Sequence, residues 1–267
     1  MSKSIFITGA ASGIGKATAI YFANKGWNVG LFDINEEGLK SLADEIGHNS
    51  CMYQKLDVTR IDDWKLAQEC FSAYTGGTCD LFFNNAGIAN FAGRFEDIPL
   101  DEMHKIIDVN FIGVVNGILT MLNLLKKTDN SVLVNTSSIA GLVPAPGISV
   151  YSATKFAVSG LTESLKIEFE KHKIKVTEIN PWFTDTPILD AKQLTKDMGS
   201  PLGRDIVEER TKIHPPEKVA SEVWKSYHSR KIHHPVGFEG KMAAFCMKIW
   251  PALIRFLNKR MYQKYFF

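Results

Sequence analysis

Ile5-Phe6-Ile7 runs directly into Thr8-Gly9-Ala10-Ala11-Ser12-Gly13-Ile14-Gly15, and Lys16 to Lys25 then reads as an amphipathic helix that stops at Gly26. An apolar strand, a glycine-rich turn and a helix in that order leave few folds open. Three glycines let the backbone turn tightly and approach a pyrophosphate. The helix N-terminus offers that anion unpaired N–H groups and the positive end of a dipole. The spacing is Gly-x-x-x-Gly-x-Gly, not the more familiar Gly-x-Gly-x-x-Gly. The next apolar run, Asn28 to Phe32, closes on Asp33. An acid about 20 residues past such a turn accepts hydrogen bonds from the ribose hydroxyls of NAD, and it repels a 2′-phosphate. Ile34 follows, with no arginine to receive that phosphate. The pair favours NAD over NADP. Lys16 keeps NADP open, unless it is a solvated first-turn side chain.

The same alternation continues. Glu36 to Ile46 reads as a helix and Ser50 to Leu56 as a strand closing on Asp57-Val58. Asp57 either contacts an adenine, caps the helix that starts near Ile61, or does both. Asp80 to Phe83 is a buried strand followed by Asn84-Asn85-Ala86-Gly87, small and amide residues suited to close backbone approach and loop pinning. Pro99 to Lys127 is a long helical pattern with Asn110, a poor helix former, in its interior. Asn110 is either buried and hydrogen-bonded, or it kinks the helix and holds a water. Ser131 to Asn135 is the fifth strand, and Ser138 lies just past its carboxyl end, where open α/β sheets gather ligands. Ile174 to Ile179 is the sixth, ending at Asn180-Pro181-Trp182-Phe183-Thr184-Asp185-Thr186. Strands alternating with helices predict a doubly wound α/β fold around a parallel sheet. No repeat or linker divides the chain, so residues 1–267 read as one domain.

Composition excludes other classes. A net charge of +2 gives no electrostatic case for nucleic acid. Cys51, Cys70, Cys79 and Cys246 have no CxxC spacing, which fits free thiols in a reducing compartment and a cytoplasmic protein. No signal segment is evident at the N-terminus, and no window approaches the ~20 consecutive apolar residues of a membrane span. His214, His228, His233 and His234 lack metal-ligand spacing, so no metal is expected.

Tyr151-Ser152-Ala153-Thr154-Lys155 opens another helical pattern and puts Tyr151 and Lys155 one turn apart on one face. A free phenol, with a pKa near ~10, is a poor base at neutral pH. A lysine at ~4 Å is worth ~4 kcal/mol at an effective dielectric of ~20, enough for most of a shift of ~2–3 units. Lys155 is therefore expected to lower the pKa of Tyr151. Tyr-x-x-x-Lys alone is a weak pattern, equally read as two surface residues. Its position after the ligand-gathering strand ends is what gives it weight.

Taken together, Thr8-Gly9-x-x-x-Gly13-x-Gly15, Asp33, Asp57, Asn84-Asn85-Ala86-Gly87, Asn110, Ser138, Tyr151 and Lys155 resemble the short-chain dehydrogenase/reductase family, over roughly Lys3 to Thr186 and more loosely to Gly237. The resemblance implies a single Rossmann-like domain with seven parallel strands and helices on both faces. It implies a catalytic tetrad of Asn110, Ser138, Tyr151 and Lys155. Tyr151 would act as general acid or base, Ser138 would bind the substrate oxygen, and Lys155 would bind the ribose hydroxyls. Asn110 would hold a water that links Lys155 to solvent. It places a dinucleotide against Gly9, Ser12, Gly13, Ile14, Gly15, Asp33, Ile34, Asp57, Val58, Asn85, Ala86, Gly87, Tyr151, Lys155, Pro181, Phe183, Thr184 and Thr186. It also implies a homodimer or homotetramer built through the two long helices. Pro181-Trp182 departs from the family's Pro-Gly. Trp182 either narrows the pocket beside the nicotinamide or simply packs.

The substrate is expected against Ser138, Ile139, Val143, Pro144, Tyr151, Trp182, Phe183, Ile188 and Leu189, under a lid at 184–212. That lining is apolar, which points to a hydrophobic secondary alcohol, ketone or aldehyde. The rival reading is a catalytically silent dinucleotide-binding regulator or scaffold. Residues 241–267 interleave apolar and basic side chains in an amphipathic extension broken at Pro251. It packs on the body, the lid or another subunit, or else lies on a membrane surface.

Overall fold

Strand β1 (Ser4–Thr8) is buried at every position, as its apolar run requires of a strand covered on both faces. It leads through the glycine turn into α1 (Gly13–Ala23), and the pattern repeats with β2 (Asn28–Asp33), α2 (Glu36–Ile46), β3 (Cys51–Lys55), α3 (Ile61–Thr75) and β4 (Leu81–Asn84). The chain continues through β5 (Phe91–Ala92), α4 (Leu100–Ile107), α5 (Gly113–Lys127), β6 (Val132–Thr136), α6 (Ser149–Glu168), β7 (Lys175–Asn180) and β8 (Lys192–Gln193). It ends with α7 (Arg204–Arg210), α8 (Pro216–His228), β9 (His233–Pro235), α9 (Gly237–Ile249) and α10 (Pro251–Phe266). This computed structural model describes residues 2–89, 91–190, 192–193 and 204–266.

Seven strands form one parallel sheet in the order β3-β2-β1-β4-β6-β7-β9, and β5 pairs with β8 apart from it. Successive strands step outward from β1 in one direction and from β4 in the other. The carboxyl ends of β1 and β4 therefore form the topological switch point, where a crevice for ligands opens. One core lies under α1, α2 and α8, with Phe22, Leu39 and Val219 fully buried. The other lies under α3, α5 and α6, where Phe6 stacks on Phe32 at 3.8 Å and meets Phe71 and Phe82 edge-on. Edge strand β9, absent from the residue-by-residue reading, supplies the seventh position.

The long helical pattern of residues 100–127 resolves into α4, one π-helical turn at Asp108–Ile112, and α5. Its 28 residues reach a mean hydropathy of 1.5 in their most apolar window, long and apolar enough to cross a membrane by composition alone. That corrects the expectation that no such window exists. Val114, Ile118, Met121 and Leu125 nonetheless face the sheet, so this is a core helix.

Candidate active site

The turn after β1 is shaped by close contact. Gly9 has φ +66, and a Cβ there would sit 3.0 Å from the Cα of Ala86. A Cβ on Gly15 would sit 2.0 Å from the carbonyl oxygen of Gly9. Ser12 precedes α1 in extended backbone, exposed and without a capping hydrogen bond, and the α1 N-terminus carries no acid in its first turn. Such an N-terminus suits an anion. Asp33 joins this unit: its Oδ2 accepts from the Ala11 N–H and its Oδ1 from the Asn35 N–H, both at 3.0 Å. Ile34 is 62% exposed beside it. Lys16 turns away to pair with Glu45 at 2.9 Å.

The other strand ends are tied to the same place. Thr8 Oγ1 accepts from the N–H groups of Asn85 and Ala86, both at 2.9 Å, and Asn85 Nδ2 donates to the Thr8 carbonyl. Thr136 Oγ1 donates to Asn85 Oδ1 at 3.1 Å. Gly87 faces Asn110 and Lys155, with room for nothing larger than a strained Cβ. Asp57 does not cap α3, a correction to one of its two expected roles. Its Oδ1 accepts from Thr59 N and Oγ1, and the capping position belongs to Arg60. The Val58 side chain is buried in the core, and its carbonyl accepts from Trp64 and Asn116.

Ser138, Tyr151 and Lys155 converge beyond β6. The Ser138 hydroxyl accepts from the Ala140 N–H at 3.1 Å and favours the ionised form of the nearby Tyr151 phenol. Lys155 is buried and donates to the Thr136 carbonyl at 2.8 Å, with its Nζ 5.6 Å from the centre of the Tyr151 ring. Asn110 is fully buried on the π turn and satisfies both its amide ends against the backbone of Ile88 at 2.8 Å. Of its two readings, buried and hydrogen-bonded is the observed one. π turns recur at functional sites because they re-aim a side chain out of helical register.

The electrostatics differ from expectation. Burial pushes the Tyr151 phenol up, and the Ser138 hydroxyl offsets only part of this. Lys155 is itself pushed down to about 8 by burial, against the opposing pull of Glu178. The expected lowering of Tyr151 by Lys155 is thus not realised in the protein alone. Burying both groups penalises the charged form of each.

Glu178 is a site component that strand alternation does not announce. It is fully buried on β7, and its Oε1 accepts from Ser159 at 3.0 Å and Asn180 at 2.7 Å and meets His233 Nδ1 at 2.7 Å. Glu163 holds the other nitrogen of His233 at 2.7 Å. Hydrogen bonding to Glu178 raises the pKa of His233 above its ordinary 6.5. A raised folded-state value stabilises the fold fully below 6.5 and loses that contribution as pH climbs through the folded pKa. His233→Ala is expected to cost about 1–3 kcal/mol, since it strips a buried carboxylate of a donor. The difference in Tm from wild type should be largest in acid and shrink at alkaline pH. A pH-independent difference would exclude the charged pair.

The segment after β7 closes the other side. The Pro181 carbonyl accepts from Ile139 N, the Phe183 carbonyl accepts from His214 N, and Thr184 Oγ1 donates to the Trp182 carbonyl. The Thr186 methyl lies against Gly13. The Trp182 indole donates to Thr211 Oγ1 at 3.0 Å and meets Phe183 edge-on at 5.3 Å. Of its two readings, packing describes the indole. Arg204 clamps the turn at Pro187–Asp190 through Asp190 and Asp185. Ile139 and Leu189 are buried, Val143 is half-buried, and Pro144 and Ile188 are exposed. Ile139 packs under Gly240 of α9. Within the lid at 184–212, residues 191 and 194–203 lie outside the described residues. A cleft of about 370 Å³ opens between Lys16, Thr186, Asp190 and Arg204. It flanks Gly13 and is lined by none of the tetrad, so it is not taken as the substrate pocket. His214, His233 and His234 pair separately with Glu239, Glu163 and Glu178, and Glu222.

The short chain dehydrogenase model matches residues 3–197 of this chain. The chain belongs to that family. This short-chain dehydrogenase is therefore an oxidoreductase with a nucleotide-binding Rossmann-like fold. It is 34% identical over 190 residues to the cyclohexanol dehydrogenase of Acinetobacter sp. (strain SE19), covering 70% of this chain and 75% of that protein. It is 35% identical over 190 residues to the 3-alpha-(or 20-beta)-hydroxysteroid dehydrogenase of Mycobacterium bovis, covering 71% and 72%. The crystal structure of 3-ketoacyl-(acyl-carrier-protein) reductase from Brucella melitensis, complexed with NADH, matches with a TM-score of 0.77 at 25% identity, covering 87% of this chain and 95% of that one.

Proposed function

We propose that this short-chain dehydrogenase interconverts a hydrophobic secondary alcohol and its ketone, or an aldehyde and its alcohol, with NAD as the preferred cofactor. The observation that carries the reading is the convergence of the Ser138 and Tyr151 hydroxyls with Lys155 at the sheet's carboxyl edge, beside a turn that admits no side chain at Gly15. The residues present fit a dinucleotide. The α1 N-terminus and Ser12 would hold the pyrophosphate, and Asp33 the adenosine ribose. Asn85, Ala86 and Gly87 would line the floor, and Pro181, Phe183, Thr184 and Thr186 would face the nicotinamide end. NAD, when bound, supplies the hydride acceptor. Tyr151 Oη takes the alcohol proton in oxidation and returns it in reduction. Ser138 Oγ hydrogen-bonds the substrate oxygen and stabilises charge that develops there. Lys155 supplies positive charge beneath the phenol, and Asn110 fixes the backbone at Ile88 beside it.

The NAD preference rests on Asp33 and Ile34, and on Lys16 being engaged by Glu45. Asp33→Ala with Ile34→Arg should raise the kcat/KM ratio of NADP over NAD at least about tenfold, or about 1.4 kcal/mol. A ratio unchanged by the double substitution would sink the assignment. The hydrophobic substrate class rests on the apolar surroundings of Ser138. A panel of alicyclic and steroid alcohols should outperform polyols by kcat/KM, and the reverse ranking would contradict it. Assembly into a homodimer or homotetramer is supported by apolar residues that the long helices leave exposed. These include Ile112 and Leu119, and Phe156 and Ile167 of α6.

A further inference from the structure

The C-terminal helices are turned inside out relative to the rest of the fold. On α9 the small residues Gly237 and Gly240 face the body, and Gly240 rests on Ile139 and Trp182. Phe238, Met242, Phe245 and Ile249 recur at three- and four-residue spacing on the opposite face, between 43% and 74% exposed. α10 is held to the body by Asn258 Nδ2, which donates to the Pro144 carbonyl at 2.9 Å, while Leu253, Phe256 and Leu257 remain about half exposed. A helix that packs on its own domain shows the opposite pattern.

Charge selects what covers this face. Residues 241–267 contain Lys241, Lys248, Arg255, Lys259, Arg260 and Lys264 and no acid. The chain as a whole is only +2, so the other 240 residues carry a net charge of −4. The one acid at the start of α9, Glu239, folds back onto His214 at 3.0 Å and leaves the outer face without negative charge. A second copy applied to this face would set like charge against like.

We propose that α9 and α10 together form a docking surface for an anionic lipid bilayer, with the apolar stripe entering the acyl boundary and the flanking cations meeting headgroup phosphates and carboxylates. Basic amphipathic helices with aromatic residues on the apolar side bind in this way, by buried area plus attraction to anionic lipid. Each cation near such a surface strengthens binding about fivefold. The docked bilayer lies beside the loop that carries Ser138, Ile139 and Pro144.

Co-sedimentation of the full chain with vesicles tests this. Vesicles of phosphatidylcholine with phosphatidylserine should bind at least about tenfold more protein than phosphatidylcholine alone, and added salt should weaken binding. Phe245→Glu with Phe256→Glu, and separately Lys248→Glu with Arg255→Glu and Lys259→Glu, should each lose at least about tenfold in vesicle binding. NADH binding should stay unchanged in both, which reports an intact fold independently of turnover. Equal recovery of wild type with both vesicle types overturns the proposal. So does an oligomer that the Phe245→Glu, Phe256→Glu pair dissolves in protein showing no vesicle binding, because a second copy then covers the face.

Discussion

Tyr151→Phe should lower kcat for alcohol oxidation and carbonyl reduction by about a thousandfold or more while NADH affinity changes by less than about threefold. The substitution removes one oxygen and keeps the ring, so the 5.6 Å relation between ring and Lys155 Nζ survives. It deletes the titratable hydroxyl whose ionisation Ser138 favours. General acid–base catalysis contributes roughly 10²–10⁴-fold, and among the described residues no neighbour is placed to replace it: Lys155 points to the Thr136 carbonyl and Ser138 cannot serve as a base unaided. Steady-state kinetics with fluorescence titration of NADH separates the two effects. Substantial retained turnover would remove Tyr151 from the chemistry, and lost NADH binding would make it a structural residue. The pH profile carries a second signature. Tyr151 is pushed up and Lys155 down to about 8 in the protein alone, so kcat/KM for NAD, which reports ionisations of the free enzyme, should fall above about pH 8 as Lys155 loses its charge.

Gly15→Ala should cost the protein its dinucleotide. The added Cβ would lie 2.0 Å from the Gly9 carbonyl oxygen and 2.7 Å from the Gly9 carbonyl carbon, both backbone atoms that cannot swing aside as a side chain would. The turn must open, and the α1 N–H groups move off the pyrophosphate position. NADH affinity should fall at least about tenfold, with an overpacking penalty of about 1–3 kcal/mol in stability. Gly160→Ala is the control: nothing lies within 4 Å of its added Cβ, and it sits within helix α6. That variant should bind NADH normally. Normal NADH affinity in Gly15→Ala would mean that the turn is not the pyrophosphate cradle.

The parts legible in the sequence are those where one residue type has one physical use. The glycine turn, Asp33 and Ser138 fall at or just past strand ends because parallel strands read as apolar runs and their ends as polar breaks, and Tyr151 with Lys155 follows on α6. The elements and their order follow from the same periodicity, and the sheet shows that pattern with β1 and β4 at its centre. Position across space was less accessible. Asp57 has the look of a helix cap, yet Arg60 takes that place and Asp57 turns onto Thr59. Glu178 sits in a strand position that alternation treats as core, and its partners distant in sequence, Ser159 and His233, explain it. The tyrosine–lysine spacing shows a favourable Coulomb attraction but not the burial of each group, because desolvation depends on everything packed around the pair. Trp182 was ambiguous for the same reason: its partner, Thr211, is 29 residues away.

The proposed reaction moves a hydride between an alcohol carbon and NAD. Its most direct test uses a secondary alcohol, such as cyclohexanol, deuterated at the carbinol carbon, with mass analysis of the reduced cofactor. One deuterium per turnover should appear in NADH, with none in the Tyr151→Phe protein. NAD bound with normal affinity but no deuterium transferred, across a panel of secondary alcohols, would overturn this reaction and leave a dinucleotide-binding protein without turnover.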